Sequence, residues 1–201
     1  MSPGRAPRRR FILLAAATAA ATLTLSACGG EGNKTGGGGS TNFVTGSGGI
    51  STVAKGERVA APKLDGTSLA DEPLDVADYK GKVVVLNIWG SWCGPCRAEA
   101  KHFAKVSQET ADQGVQFIGI NTRDAQKSLA VNFEKDFGVS YPSIFDPTGK
   151  LMLRFPKGTL NPVAIPSTVV LDRDGKIAAR TLQGINAEEL HTMIDPLIAE
   201  K

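Results

Sequence analysis

The sequence predicts an α/β fold in which helices flank a central mixed sheet. Two short β-branched apolar runs, 83–88 and 115–120, are typical of buried strands. A helical pattern follows each of these runs, and two further strand patterns and a last helix follow toward the C-terminus. An order in which strands and helices alternate along the chain is typical of a sheet that is covered by helices.

The first part of this fold is predicted to contain a hairpin, a strand and a long helix. Residues 62–80 are expected to form the hairpin, ahead of the buried strand at 83–88. The helix is expected to begin at Gly94 and Pro95, because a proline in the first turn of a helix gives up only an N–H that has no partner there. Gly114 is expected to end that helix, since glycine readily adopts the backbone conformation that follows a helix.

The middle of the domain is predicted to contain one βα unit and one irregular stretch. After the strand at 115–120, apolar side chains recur at helical spacing over 125–137, and Gly138 follows them. Residues 115–140 therefore form the predicted βα unit. The stretch 141–165 is rich in proline and has no regular period, so it is expected to be irregular.

The C-terminal part is predicted to be a hairpin followed by a helix. Strand patterns at 167–171 and 176–182 are joined by Asp-Arg-Asp-Gly, a sequence typical of a tight turn. Asn186 and Glu189 have the spacing of a capping box, in which each side chain accepts a hydrogen bond from the backbone N–H of the other. The last helix is therefore expected to begin at Asn186 and to run to about Ala199.

Residues 1–27 have the organisation of a secretory signal peptide. Residues 5–10 are basic, residues 11–25 are apolar and rich in alanine, and Ser26 and Ala27 are small. The apolar run is shorter than the about 20 residues that a membrane-spanning helix needs.

The net positive charge of the chain comes from this leader, because its four arginines exceed the formal net charge of the whole chain, +3. The positive charge therefore gives no reason to expect nucleic-acid binding.

The sequence Leu-Ser-Ala-Cys, which ends at Cys28, resembles the lipobox of bacterial lipoproteins. That resemblance implies cleavage before Cys28 and attachment of a lipid to its sulfur, so the protein is expected to be extracytoplasmic and anchored to the cell membrane. The segment 28–56 holds 11 of the 23 glycines, a composition that predicts a flexible linker. Residues 57–201 are then expected to form the folded domain.

The motif Trp-Cys-Gly-Pro-Cys, whose cysteines are Cys93 and Cys96, directly follows the first buried strand and opens a helix. Two cysteines three residues apart at the start of a helix can close a small disulfide ring. Cys93 is expected where free backbone N–H groups and the helix dipole favour a thiolate, the species that attacks disulfides. Cys96 lies one turn further on, where it can attack a mixed disulfide from inside. The pair therefore predicts catalytic thiol–disulfide exchange.

Other interpretations of the pair have less support in the sequence. Zinc usually has four ligands, and neither His102 nor His191 has a spacing that would complete a site, so no metal is predicted. A cysteine protease needs a histidine presented to its thiol, and no histidine stands out. Two alternatives stay open. One is a non-catalytic lipoprotein that carries copper on the two thiols, and the other is a peroxiredoxin-type antioxidant, although the Pro-x-x-x-Thr-x-x-Cys pattern of that class is missing before Cys93.

The domain resembles the TlpA/ResA-like extracytoplasmic thioredoxins, a branch that includes the thioredoxins of cytochrome c maturation. The resemblance covers roughly residues 58–199 and is carried by the segments 80–99 and 165–175. It implies a thioredoxin fold with an N-terminal hairpin and an inserted βα unit at 115–140. It also implies a membrane-anchored thiol–disulfide oxidoreductase in which the dithiol is the redox group, so that no diffusible cofactor is needed.

The resemblance assigns a partner-binding surface to the residues around the disulfide. Pro166 matches the family's cis-proline, which faces the disulfide and helps to bind the backbone of the partner. Trp92 stands beside the first cysteine, where it is expected to form part of the same surface. The predicted partner-binding residues are Trp92, Gly94, Pro95, Ile165 and Pro166.

Glu99 is the third residue predicted to be catalytic. It matches a glutamate that this branch has three residues after its second cysteine, whereas typical thioredoxins have a buried aspartate where Asn87 stands. A partly buried carboxylate near two thiols is expected to take the proton from Cys96 as that thiol becomes a nucleophile. A first-turn acid that is stabilised only by the helix dipole is the alternative interpretation.

The expected partners are protein thiols or disulfides outside the cytoplasm, such as those of apocytochrome c, and a membrane electron donor or acceptor. The Gly-Pro between the cysteines resembles the reducing thioredoxins, so reduction is expected rather than oxidation. Two departures from the family's pattern are visible. Lys101 stands where many members have a proline, and residues 154–163 are longer and richer in proline than usual, which leaves the identity of the partner open.

Overall fold

The computed structural model describes residues 41–200. The signal peptide, the lipid attachment at Cys28 and the linker up to residue 40 lie outside the described residues, and these stay predictions. The described part of the chain forms nine strands and three α-helices. Within it, no helix is long and apolar enough to cross a membrane.

The strands are β1 (Val44–Thr45), β2 (Ser51–Thr52), β3 (Asp65–Thr67), β4 (Pro73–Asp75), β5 (Val83–Trp89), β6 (Val115–Thr122), β7 (Ser143–Asp146), β8 (Ser167–Leu171) and β9 (Ile177–Thr181). The helices are α1 (Gly94–Thr110), α2 (Lys127–Phe137) and α3 (Ala187–Ala199).

Seven of these strands form a mixed sheet in the order β1-β2-β9-β8-β5-β6-β7, with β5 near its centre. β5 runs parallel to β6, with Val83 opposite Val115, and antiparallel to β8, with Asn87 opposite Thr168. β6 and β7 are also parallel. β3 and β4 form a separate antiparallel hairpin. The predicted mixed sheet, N-terminal hairpin and inserted βα unit, here β6 and α2, are therefore confirmed.

The two faces of the sheet are covered differently, because alternate residues of β5 point to opposite sides. Val83 belongs to a buried cluster with Phe103 of α1 and Leu190 of α3. Val84 belongs to another cluster, which includes Leu64 beside β3 and residues of the segment after β7. The helices thus cover one face and the hairpin covers the other, which leaves the carboxyl end of β5 at the edge where α1 begins.

The prediction of a flexible linker is wrong over residues 41–56. β2 pairs with β9 at the edge of the main sheet, with Ser51 opposite Arg180. Phe43, Ile50 and Val53 are buried, with exposures of 6–7%. The high glycine content of this stretch concealed the three apolar side chains, whose burial favours an ordered chain. The folded domain therefore starts at least 13 residues before the predicted position.

The stretch 141–165 contains more regular structure than its prolines suggested. Residues Ser143–Asp146 form β7, which pairs in parallel with β6, and Met152–Arg154 form a short 3-10 helix.

The predicted capping box of the last helix is confirmed, because Asn186 and Glu189 accept hydrogen bonds from each other's backbone N–H at 3.0 and 2.9 Å.

Candidate active site

The two cysteines of the motif form a disulfide at the point where β5 leads into α1. Their Cα atoms are 5.3 Å apart. Both residues are buried, and Cys93, the residue predicted to be the nucleophile, is slightly more exposed than Cys96, at 4% against 1%. The fully buried β5 holds the start of this loop in place, and Gly94 and Pro95 form the first turn of the helix.

The start of α1 favours negative charge on the sulfur of Cys93. Cys93 is the N-cap residue of the helix, and its Sγ accepts a hydrogen bond from the backbone N–H of Cys96 at 3.2 Å. The helix dipole acts in the same direction. When the disulfide is reduced, these two contributions stabilise a thiolate at Cys93, which is the reactive form of a cysteine.

Glu99 lies on α1 three residues after Cys96 and is buried, with an exposure of 3%. Its Oε1 accepts a hydrogen bond from Asn87 Nδ2 at 2.9 Å, and its Oε2 accepts one from the backbone N–H of Ile185 at 3.1 Å. Burial raises the pKa of Glu99 to about 7, against the lowering effect of these two hydrogen bonds. The carboxyl group therefore changes its protonation state near neutral pH, as a proton acceptor for a thiol must.

The loop after β9 brings Glu99 close to the cis-proline. The peptide bond between Ile165 and Pro166 is cis, as the resemblance predicted. A methyl group placed on Gly184 would lie 3.6 Å from Glu99 Oε2 and 3.7 Å from both Pro166 and Pro95. Gly184 therefore lies at the point where the Glu99 carboxyl group, the cis-proline and the first helical turn come together.

A groove of about 400 Å³ opens beside this meeting point. Its lining comes from the first two turns of α1 and from the chain that leads into α3. Glu99 is one of the lining residues, so the groove gives the buried carboxyl group a path for protons to solvent. The other lining residues are Pro95, Ala98, His102, Gly184, Ile185, Asn186 and Glu189.

The two tryptophans near the disulfide differ in their exposure to solvent. Trp89 is 2% exposed and stacks on Phe133 of α2, with ring centroids 4.4 Å apart, so it is a core residue. Trp92 is 53% exposed, although its Nε1 donates a hydrogen bond to the Thr122 carbonyl at 3.3 Å. An exposed aromatic ring beside the more accessible cysteine is suited to contact a partner protein. Ile165 is half-buried between the disulfide cluster and the hairpin side of the core.

The sequence interpretation missed one part of the site, at the end of β6. Asp124 is 1% exposed and accepts three hydrogen bonds. The backbone N–H of Ser91 donates at 2.9 Å, Asn121 Nδ2 donates at 2.6 Å, and the hydroxyl of Ser91 donates as well. The carboxyl ends of neighbouring parallel strands meet at one edge of a sheet, and this rule would have placed Asp124 beside the cysteine loop.

A protein-family model described as Redoxin matches residues 54–194. The chain belongs to the Redoxin family. It is 30% identical over 137 residues to the thiol-disulfide oxidoreductase ResA of Geobacillus kaustophilus, covering 68% of this chain and 72% of that protein. It is 30% identical over 149 residues to the thiol:disulfide interchange protein DsbE of Vibrio cholerae, covering 74% and 76% of the two chains.

Among solved structures, a secreted thiol-disulfide isomerase from Corynebacterium glutamicum matches with a TM-score of 0.71 and 31% identity. The match covers 77% of this chain and 94% of that one. The thioredoxin fold and the resemblance to the TlpA/ResA-like branch are therefore confirmed, and the protein is a thiol–disulfide oxidoreductase. Within residues 41–200, no group of three or more His, Cys, Asp or Glu side chains is arranged to hold a metal ion.

Proposed function

We propose that this protein is a lipid-anchored, extracytoplasmic reductant of protein disulfides, which acts through Cys93 and Cys96. The observation that carries the proposal is a disulfide at the N-terminus of α1, next to a buried carboxyl group whose pKa is about 7. The signal-peptide pattern and the lipobox-like sequence before Cys28 support the location. The secreted isomerase of Corynebacterium glutamicum supports an extracytoplasmic setting as well.

The first step is an attack by the Cys93 thiolate on one sulfur of the partner's disulfide. The S–S bond of the partner breaks, and a mixed disulfide forms between Cys93 and the attacked sulfur. The other sulfur of the partner leaves as a thiolate and takes a proton from solvent. The helix N-terminus favours Cys93 as the attacking sulfur, because its backbone N–H groups stabilise the thiolate.

The second step uses Cys96 and Glu99. Cys96 is the more deeply buried sulfur, and a buried thiol resists ionisation. The Glu99 carboxylate takes the proton of Cys96, directly or through water in the groove. The resulting Cys96 thiolate attacks Cys93, the disulfide between the two cysteines closes, and the second sulfur of the partner leaves. Two electrons have then passed from the dithiol to the partner.

The partner chain is held next to Cys93 by the surface that the resemblance assigns. Trp92 supplies an exposed aromatic ring on one side of the disulfide. Pro166, with Ile165 before it, lies on the other side near Pro95. This arrangement suits an extended segment of chain that carries a cysteine. An unfolded apoprotein presents such segments, so apocytochrome c fits this site as a substrate.

A trapping experiment tests the exchange reaction and the anchoring together. Cys93→Ser is expected to abolish exchange, because it removes the attacking sulfur, and Cys96→Ser is expected to accumulate mixed disulfides on Cys93 in the membrane fraction. Partners are identified after non-reducing electrophoresis by mass spectrometry. In the matched variant that also carries Cys28→Ala, the adducts should leave the membrane fraction. A copper carrier would instead bind Cu(I) stoichiometrically and trap no protein, and this result would contradict the proposal.

The direction of electron flow is tested by the reduction potential of the full-length protein. The Gly-Pro between the cysteines favours a reductant, and reducing thioredoxins have potentials near about −270 mV. A value in that range, measured by equilibration with glutathione or dithiothreitol, is the expected result. A value near about −120 mV, which is typical of a strong oxidant, would contradict the proposed direction but not the exchange chemistry.

A further inference from the structure

Arg123, the first residue after β6, has an unusual backbone conformation. Its φ angle is 58°, and among residues 41–200 the only other residue besides glycine with a positive φ is Asp71. Such a conformation is uncommon for a residue with a side chain. The backbone N–H of Arg123 donates to the Asp146 carbonyl at 3.2 Å, which holds the turn in place. Gly149 lies beside the aliphatic part of this side chain, because a methyl group placed on it would lie 3.5 Å from Cγ of Arg123.

The turn directs the guanidinium group of Arg123 onto the surface beside the disulfide. Its Cζ lies 5.3 Å from the centre of the Trp92 ring, within the range of a cation–π contact. Its Nη2 donates a hydrogen bond to the Pro162 carbonyl at 3.1 Å. Arg123 therefore joins the aromatic ring next to Cys93 to the segment that leads into the cis-proline.

The positive charge of this group is not paired with a carboxylate in the described residues. Asp124 is the next residue, but it is buried and accepts its three hydrogen bonds from Ser91 and Asn121. Within the described part of the chain, Arg123 forms no ion pair with any Asp or Glu. A guanidinium group has five N–H donors in a planar fork that matches a carboxylate, and the contact with Pro162 accounts for one of them.

We propose that Arg123 is a specificity-determining residue, which favours protein substrates that carry a carboxylate side chain next to the reacting cysteine. The cysteine would lie at Cys93, an apolar part of the same segment would contact the exposed Trp92, and the carboxylate would bind the guanidinium group. Val163, which is 78% exposed beside Pro162, extends the apolar part of this surface. The inference rests on the proposed disulfide exchange and adds a substrate preference to it.

The test uses synthetic peptides with a single cysteine, held as a mixed disulfide with 2-mercaptoethanol. Two peptides differ only in a Glu or a Gln beside the cysteine, and a third has Lys there. The reduced, detergent-solubilised full-length protein is mixed with an excess of each peptide under single-turnover conditions, in which each dithiol reduces one peptide disulfide, and the limiting rate (kcat) and the half-saturating peptide concentration (KM) of that reduction are measured. The efficiencies for two peptides are compared as a ratio within the same protein variant. A general loss of stability or activity lowers both efficiencies equally and therefore leaves the ratio unchanged.

The wild-type protein should reduce the Glu peptide about fivefold more efficiently than the Gln peptide, the size expected for an exposed ion pair. The difference should lie in KM, with the Lys peptide poorest of the three. It should shrink when the salt concentration is raised, because an exposed ion pair is screened. Arg123→Gln should abolish the preference, whereas Arg123→Lys, which keeps the charge but not the planar fork, should retain part of it.

Lys135→Gln is the matched control, because it removes one positive charge from an exposed position on α2. This variant should keep the full preference for the Glu peptide. Equal efficiency of the wild-type protein with all three peptides would overturn the role of Arg123, and so would an undiminished preference in Arg123→Gln. If the wild-type protein reduced neither the peptides nor 2-hydroxyethyl disulfide, the proposed exchange function itself would fail.

Discussion

The two flanks of the disulfide each contain a buried carboxyl group, but the two groups are held in different ways. On the α3 flank, Glu99 accepts two hydrogen bonds, and burial raises its pKa to about 7. On the β6 flank, Asp124 accepts three hydrogen bonds, two of them from Ser91 in the loop before Cys93. The α3 flank is thus suited to proton transfer, whereas the β6 flank holds the cysteine loop in position.

The difference follows from what surrounds each group. Glu99 lines a groove open to solvent and faces Gly184, where no side chain crowds the carboxyl group. Asp124 lies in a turn in which its hydrogen-bond donors are Ser91, in the loop that it supports, and Asn121, near the end of β6. A carboxyl group with few donors in an apolar setting tends to be protonated, while a carboxyl group that accepts several hydrogen bonds holds its donors in place. Two acids of similar burial therefore serve different purposes.

Asp124→Ala is expected to have the largest effect on stability. The substitution leaves the backbone N–H and hydroxyl of Ser91 and the amide of Asn121 without their acceptor, so the free energy of unfolding should fall by about 3 kcal/mol. Urea denaturation of the oxidised protein measures this change. Asp136→Ala, at an exposed position on α2, is the matched control and should change stability by less than about 0.5 kcal/mol. A similar small change in Asp124→Ala would show that the β6 flank does not hold the loop.

Glu99→Gln is expected to act on the rate instead. The wild-type rate of the resolving step should rise with pH through about 7, because only the carboxylate can accept the proton of Cys96. The Gln variant should lack this rise. Above pH 7 its resolving step should be slower than that of the wild-type protein by about 100-fold, which is the lower end of the rate increase that a general base contributes. Rapid-mixing kinetics with a protein disulfide across the pH range measures both effects. An unchanged pH profile in Glu99→Gln would show that a group other than Glu99 accepts the proton.

The same variant should change the pH dependence of stability, in a direction set by the raised pKa. Glu99 stays protonated in the folded protein up to about pH 7, whereas the unfolded chain loses this proton near the ordinary value of 4.5. The contribution of Glu99 to stability is therefore largest at low pH, and about 2–3 kcal/mol of it is lost as pH rises from 4.5 to 7. Glu99→Gln should lack that loss in urea denaturation at several pH values.

Glu134→Gln separates the catalytic role proposed for Glu99 from the effect of burial alone. Glu134 lies on α2, and burial raises its pKa to about 7 as well. Because the raised pKa means that Glu134 is deprotonated more readily in the unfolded chain than in the folded protein, the Gln variant should also lose part of the pH dependence of stability. Its exchange kinetics should keep the rise near pH 7. Glu99→Gln is expected to remove the increase of the exchange rate near pH 7. If Glu134→Gln removed it as well, the increase would come from a general property of the fold and not from proton transfer by Glu99.

Local patterns in the chain were enough to predict most of the fold. The run 83–88 became the central strand because every one of its side chains is apolar or, at Asn87, bonded within the core. The capping residues Asn186 and Glu189 marked the start of α3 correctly, since a capping box depends only on residues three apart. β1, β2 and β7 were missed because they are short strands near the two ends of the sheet, and the pairing of β2 and β7 depends on distant partners, β9 and β6.

The candidate site also has parts that local sequence patterns predict and parts that they do not. The disulfide and its place at a helix start could be predicted from two cysteines and a proline that are close in sequence. The roles of Asp124 and Arg123 could not, because both meet the cysteine loop only across the junction of two parallel strands. The resemblance to a known branch pointed to Glu99, but neither its depth of burial nor its two hydrogen bonds was visible in the sequence.

The sequence by itself determined the reaction class, because a Cys-Gly-Pro-Cys motif after a buried strand contains the whole redox group within four residues. It also determined the order of the main strands and helices, which depends on patterns repeated every few residues. Only the tertiary structure decided how the two flanks differ. The setting of a buried carboxyl group depends on donors and apolar neighbours that come from distant parts of the chain, such as the backbone N–H of Ile185, 86 residues after Glu99.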